Sequence, residues 1–350
     1  MFSFSKVITN IRIFLYFWGQ ILSMKGISPF EYNRIVTGEQ FIGREKEVLK
    51  LKSLIKSKKN ALLYGPPKIG KRSVVFNALE ELKAENVEFK LCKINLFNIR
   101  SLDALLLSLS KVLPPKKQKS SENSNEHIII YFEQFQDVLL FEKPLKVLAA
   151  LEEQVATAKN TSYIIVGDKR NAMDYIFLEK NFFRNLVTFI PLQPINKKIF
   201  SQFIIDEFAK NGKSASAKEA SYIYDTLEGD PWYIQHLLEI CYLKTEKTLT
   251  PQIVQESLDN LMAIHDYELH NTVYGLSNHQ LMLLKAILDG ERRFSKSEIM
   301  KKYELNSSAN VNRLREALTK KEIVTFVSKN KIEFNDSLFK FWLGKYFFNI

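Results

Sequence analysis

Cysteine is nearly missing. The 350 residues hold two, Cys92 and Cys241, far apart and in no CxxC pair, which excludes a disulfide scaffold and a structural zinc site. Glycine and proline are also sparse, at 12 and 10 residues, which excludes a collagen-like chain. No apolar run reaches the roughly 20 residues that a membrane span needs, so no stable span is expected. What is present, 46% hydrophobic and 25% charged residues, describes a globular chain rather than a disordered or coiled-coil one. At roughly 100–200 residues per domain, the length implies two or three modules. The low cysteine count fits a reducing compartment, and a cytoplasmic location is expected.

Acidic residues are the scarcer charge, 39 against 50 basic, for a net +11. The excess sits at the ends. Residues 1–25 carry +3, residues 271–350 carry +6, and the 245 residues between them only +2. That distribution points to a polyanion partner for an end module rather than for the whole surface. Near the start, Arg12 precedes an apolar core, Ile13 to Trp18. This run is too short for a span, and no small-residue cleavage site follows it. Residues 1–25 are therefore expected to form an apolar and basic extension outside the fold, and Met24 opens a more ordinary cytosolic start.

Periodicity then passes through three regimes. A helical pattern from Glu45 to Leu54 leads to an apolar run, Ala61 to Tyr64, and a second helix follows Lys71. Further strands are expected at Val87–Ile94, His127–Phe132, Tyr163–Val166 and Val187–Leu192, with helices at 101–113 and 145–158 and a polar loop at 116–126. Strands alternating with helices predict a parallel sheet covered on both faces. After Pro194 only helical periods appear, with Pro231 and Pro251 placed as first residues of helices. From Leu276 three short helical patterns precede two strand-like runs, Ile323–Val327 and Lys331–Phe334, the outline of a winged helix-turn-helix.

The most specific motif is Gly65-Pro66-Pro67-Lys68-Ile69-Gly70-Lys71-Arg72-Ser73. It fits G-x-x-x-x-G-K and lies directly after an expected strand and before a helix. Its glycines let backbone wrap phosphate oxygens, the helix start supplies free N–H groups, and Lys71 supplies a point charge. The residue after the lysine should carry a hydroxyl for magnesium, yet it is Arg72. Ser73 comes one place late, and a helix turns about 100° per residue, so it should not reach the same point. Arg72 should either repel a metal or stand in for its charge.

A second departure concerns the same chemistry. The strand His127–Phe132 ends in Glu133-Gln134, where ATPases use Asp-Glu, one carboxylate for the metal shell and one to polarise water. Glu133 is a methylene longer than Asp, and Gln134 accepts no proton, so general-base help is missing. Slow or absent hydrolysis is expected, with Glu133 and Ser73 as weak metal-ligand candidates and magnesium left undecided.

In the order and spacing of its motifs, the chain resembles the archaeal-type ATPase family of the STAND and AAA+ P-loop NTPases, related in layout to the origin-recognition ATPases. The resemblance covers about residues 26–345. It rests on Phe41-Ile42-Gly43-Arg44-Glu45, the phosphate loop, Phe132-Glu133-Gln134-Phe135-Gln136, Gly167-Asp168-Lys169-Arg170, Gly229-Asp230-Pro231-Trp232-Tyr233, and Asp336-Ser337-Leu338-Phe339 with Trp342. It implies that Gly43 and Arg44 lie by the adenine of ATP or ADP. It also implies that Arg170 senses the terminal phosphate and that Gly229 and Pro231 form a lid turn. The plainer readings are a surface cation for Arg170 and a helix-start proline for Pro231. Asp168 departs from the usual small polar residue and puts an acid close to the phosphates.

In the end module, Asn310, Asn312, Arg313 and Arg315 fall on the third helix, capped by Ser307 or Ser308. There they suit base or phosphate contacts, or they solvate a module used for protein contacts. The expected fold is α/β: a P-loop NTPase parallel sheet with helices on both faces, then an all-α lid and a winged helix-turn-helix. The modules are an extension at 1–25, a nucleotide-binding domain at 26–194, a lid at 195–270 and a winged helix at 271–350. The expected function is a nucleotide-dependent switch whose winged helix contacts DNA or a protein. The alternatives are an active ATPase using substitute ligands and a pseudo-ATPase scaffold; an oligomer is compatible with each.

Overall fold

The computed structural model describes residues 28–111, 126–328 and 330–350. The extension expected at 1–25 and nearly all of the loop expected at 116–126 lie outside the described residues. Among the described residues, no helix is long and apolar enough to cross a membrane. The chain divides into two compact units. One holds residues 28–34, Pro194–Asp289 and Ser337–Ile350, the other Ile35–Gln193 and Gly290–Asp336.

The second unit is built on β1 (Asn60–Tyr64), β2 (Lys90–Asn95), β3 (Ile128–Glu133), β4 (Thr161–Val166) and β5 (Val187–Pro191). They pair in parallel in the order β2-β3-β4-β1-β5. β3 and β4 are buried almost end to end, which explains why their sequences run apolar without alternating. Successive side chains nevertheless feed opposite cores. Ile130, Phe132, Tyr163 and Ile165 face one, and Ile129, Tyr131, Ile164 and Val166 face the other, as the two-residue period of a strand requires.

Helices α1 (Glu45–Lys56) and α2 (Lys71–Ala84) cover the second face through Val48, Leu51, Val74 and Ala78. Helices α3 (Leu102–Ser110) and α4 (Pro144–Thr157) cover the first through Leu105, Leu148 and Leu151. A short helix α5 (Arg170–Asp174) follows β4. The strand expected from Val87 begins only at Lys90, because the Val87 N–H donates to Leu82 O and closes α2 instead of joining the sheet.

The other unit is helical, with α6 (Lys197–Lys210), α7 (Ala217–Thr226), α8 (Pro231–Lys244), α9 (Pro251–Tyr274) and α10 (Asn278–Leu288). Pro231 and Pro251 each stand in the first turn of a helix, capped by Asp230 and Thr250. The sheet-bearing unit then continues with α11 (Ser297–Lys302), α12 (Ser308–Lys320) and the antiparallel hairpin β6 (Val324–Phe326) and β7 (Ile332–Phe334). Helix α13 (Ser337–Trp342) belongs again to the helical unit. The helix-helix-helix-hairpin order of a winged helix is therefore present, and its elements are shared between the two units.

Phe135 is fully buried, its ring 5.7 Å from those of Phe132, Phe177 and Phe183. Phe135→Ala should lower the stability of this unit by about 3–5 kcal/mol, read from urea unfolding followed by circular dichroism. A loss below about 1 kcal/mol would contradict the packing described.

Candidate functional site

At the C-terminal end of β1 the chain turns through Gly65, where φ is +158° and an added Cβ would lie 2.7 Å from the backbone oxygen of Leu192. Gly70, at φ +98°, is the N-cap of α2 and offers no side-chain cap. Arg44 is 4% exposed and braces the loop from behind. Its Nη2 donates to Ile69 O at 3.1 Å and its Nη1 lies 3.2 Å from Glu47 Oε1. Gly43 stands at φ +64°, and its N–H donates to Glu45 Oε1.

Lys71 is 3% exposed. Its ammonium donates to Gly65 O at 3.1 Å and Pro66 O at 2.5 Å, and lies 3.7 Å from Asp168 Oδ1. Asp168, the unexpected acid after β4, is thus a counter-ion of the phosphate-loop lysine. It is held by Gln134 Nε2, which donates to Asp168 Oδ2 at 2.7 Å, and by its own N–H, which donates to Gln136 Oε1. Gln134 sits at φ +53°, a left-handed conformation that costs a residue with a side chain on the order of 1–3 kcal/mol. Its left-handed turn closes β3.

Arg72 Nε lies 3.2 Å from Glu133 Oε1. Ser73 Oγ accepts the Val36 N–H at 3.1 Å. The sequence-predicted phosphate loop, Glu133 and Gln134 therefore do converge at one edge of the sheet.

Arg170 opens α5, and its Nη1 lies 2.5 Å from Glu333 Oε2 on β7. Burial disfavours its charge, but the Glu333 carboxylate and the Tyr64 hydroxyl outweigh this and hold it above its ordinary pKa. Burial would raise Glu333, yet Lys331 and Arg170 pull its carboxyl below its ordinary value. Beside this pair, Glu322 accepts the N–H groups of Asn171 and Ala172 at 2.9 and 2.8 Å. Asn171 Nδ2 donates to Thr319 O and Val324 O, each at 3.0 Å. The wing and the end of α12 are thus bonded to the start of α5. Nothing in the sequence singled out Glu322, Glu333 or Asn171, since their relation is set only by packing across 150 or more positions.

The four candidate DNA contacts divide. Asn310 Nδ2 donates to Leu305 O, Arg315 covers the Phe326 ring at 4.4 Å, and Asn312 and Arg315 line a cleft of about 900 Å³ with Lys169 and Tyr175. Arg313 is exposed. Pro231 is the first residue of α8, after Gly229 at φ +73°, and lies in the helical unit.

The chain is similar to a Walker-type ATPase of Pyrococcus abyssi at 16% identity and TM-score 0.65, covering 90% of this chain and 99% of that one. It is similar to the Aeropyrum pernix ORC2 protein, solved as ADPNP-ADP complexes, at 15% identity and TM-score 0.55, covering 87% and 90%. It is also similar to the Aeropyrum pernix ORC1 protein, solved in complex with DNA, at 15% identity and TM-score 0.51, covering 92% and 95%. Residues 267–345 match a family model described as a probable winged helix domain. The fold is that of a P-loop ATPase, a parallel sheet with helices on both faces, followed by a C-terminal winged helix. No curated protein matches the sequence. Within this ATPase fold, Arg44 is a brace of the phosphate loop, an anchoring role that its motif alone did not reveal.

Two outcomes follow from the wing contacts. Glu322→Ala leaves two part-buried N–H groups without their acceptor, which should cost about 1–3 kcal/mol in urea unfolding. The Glu333 contribution should be present above the ordinary glutamate pKa of 4.5 and fade as pH falls through its lower folded value. A difference between parent and Glu333→Gln that persists unchanged well below that range would contradict the ion pair.

Proposed function

We propose that the chain is an ATP- or ADP-binding switch in which hydrolysis is slow or absent, and in which the winged helix passes the nucleotide state to DNA or a protein partner. The observation that carries this reading is the Arg170–Glu333 pair. The cation expected to sense a terminal phosphate is held by a carboxylate of the wing, so phosphate and wing compete for one guanidinium. Binding of a triphosphate at the loop would draw Arg170 from Glu333 and loosen the hairpin; a diphosphate would leave it in place. The Aeropyrum pernix ORC2 protein was solved with nucleotide and the ORC1 protein with DNA, which supports both halves of the reading by likeness of fold.

Weak catalysis follows from the charges around the loop. Glu133 is engaged by Arg72, and Gln134, a neutral amide, donates to Asp168, so neither is free to polarise a water. DNA contact through α12 would rely on Arg313, together with Arg315 once it leaves the Phe326 ring. A protein partner is the alternative.

Hydrogen exchange with added nucleotide tests the switch. ATP should speed exchange across Val324–Phe334 relative to ADP, and Lys71→Ala should abolish both binding and effect, since it removes charge-assisted bonds worth about 1.5–3 kcal/mol each. Equal exchange in ATP and ADP would overturn the reading. Phosphate release should be slow in the parent and at least about tenfold faster in Arg72→Thr/Glu133→Asp/Gln134→Glu, since positioned base catalysis contributes roughly 10²–10⁴-fold. Duplex binding by the full chain should weaken with salt, and Arg313→Ala/Arg315→Ala should flatten the log–log slope by about two units.

A further inference from the structure

The residues around the phosphate loop do not fit a divalent cation. In a P-loop site the metal is held by a hydroxyl directly after the lysine and by an acid at the end of a neighbouring strand. Arg72 occupies the hydroxyl's place, and its Nε lies 3.2 Å from Glu133 Oε1, the acid a metal shell would use. Ser73, the nearest hydroxyl in sequence, accepts the Val36 N–H at 3.1 Å. The second carboxylate, Asp168, lies 3.7 Å from Lys71 Nζ and accepts from Gln134 at 2.7 Å. Glu133 and Asp168 are therefore each already matched to a cation of the chain. A divalent ion entering here would sit beside a fixed positive charge.

A guanidinium can do the metal's electrostatic work on phosphate. It carries one permanent charge and presents planar N–H pairs whose spacing suits two phosphate oxygens. Arg72 has the required setting. Its Nε end is held by Glu133, and its side chain is 56% exposed at the first turn of α2, so the Nη groups remain open to a ligand seated on the loop. Building on the nucleotide-binding reading above, we propose that this site takes ATP or ADP as the metal-free anion, with Arg72 in the position of the divalent cation.

Calorimetry on the full chain tests this with ATP and ADP, once in EDTA and once in excess magnesium chloride. The parent should bind in EDTA at least as tightly as in magnesium, because a magnesium-bound nucleotide must shed its ion before it fits beside Arg72. Arg72→Thr removes the guanidinium and restores the hydroxyl. It should bind about tenfold or more weakly than the parent in EDTA, the loss expected for one charge-assisted contact, and recover when magnesium is added. Arg72→Lys keeps the charge without the planar fork and should fall between the two in EDTA, which guards against a folding artefact, as does an unchanged circular dichroism melt.

Tighter parent binding in magnesium than in EDTA would overturn the proposal and leave the nucleotide reading standing. Equal binding of parent and Arg72→Thr in EDTA would likewise overturn it. Absence of nucleotide binding in both buffers would remove the proposal together with the reading it builds on.

Discussion

At the C-terminal edge of one parallel sheet, Lys71 is matched by Asp168, Arg72 by Glu133 and Arg170 by Glu333. Lys71 and Arg170 are buried deeply enough that an unmatched charge would be costly. The pairing is therefore a condition of the fold as well as a feature of the site. It also fixes what any anionic ligand must do. A phosphate reaching this edge would meet cations that already have acid partners, to be displaced at Lys71 and Arg170 or shared at Arg72.

The three acids differ in where they come from, and that difference separates their consequences. Glu133 ends β3 and Asp168 lies two residues past β4, so displacing them shifts only a side chain next to the sheet. Glu333 comes from the wing, 163 positions along the chain from Arg170. Displacing it frees one of several bonds that hold the hairpin and the end of α12 to α5. The remaining bonds, Glu322 to two backbone N–H groups and Asn171 to Thr319 and Val324, set how far that freedom extends. The C-terminal edge of the sheet and the wing are thereby joined through one guanidinium.

Much of this was legible in the amino-acid order. The apolar runs of β3 and β4, the glycines at 65 and 70 and the helical stretch after Pro194 each follow from local stereochemistry, because burial on two faces or a left-handed turn restricts the residue at that very position. Arg72 and Gln134 were legible as departures for the same reason: the motif sets the residue that belongs there. The motif reads Arg44 as a neighbour of the adenine, whereas its buried bond to Ile69 O depends on a turn 25 positions away and could not be read from the motif. The boundary of β2 was misread, since Val87 satisfies α2 and a hydrophobic pattern cannot tell which neighbour takes its N–H.

The sequence by itself determined which side chains carry charge at the loop, that the hydroxyl expected for a metal is missing, and that helices, sheet and hairpin follow one another as they do. Only the tertiary structure decided how those charges are matched. Asp168 is an unexplained acid until Lys71 is seen beside it, and Glu333 is one more surface glutamate until β7 is brought against α5. The reason is physical. Backbone conformation is governed by neighbours a few residues apart, whereas an ion pair needs two groups within about 4 Å, and across more than 150 positions only the packing of sheet, helix and hairpin sets that distance.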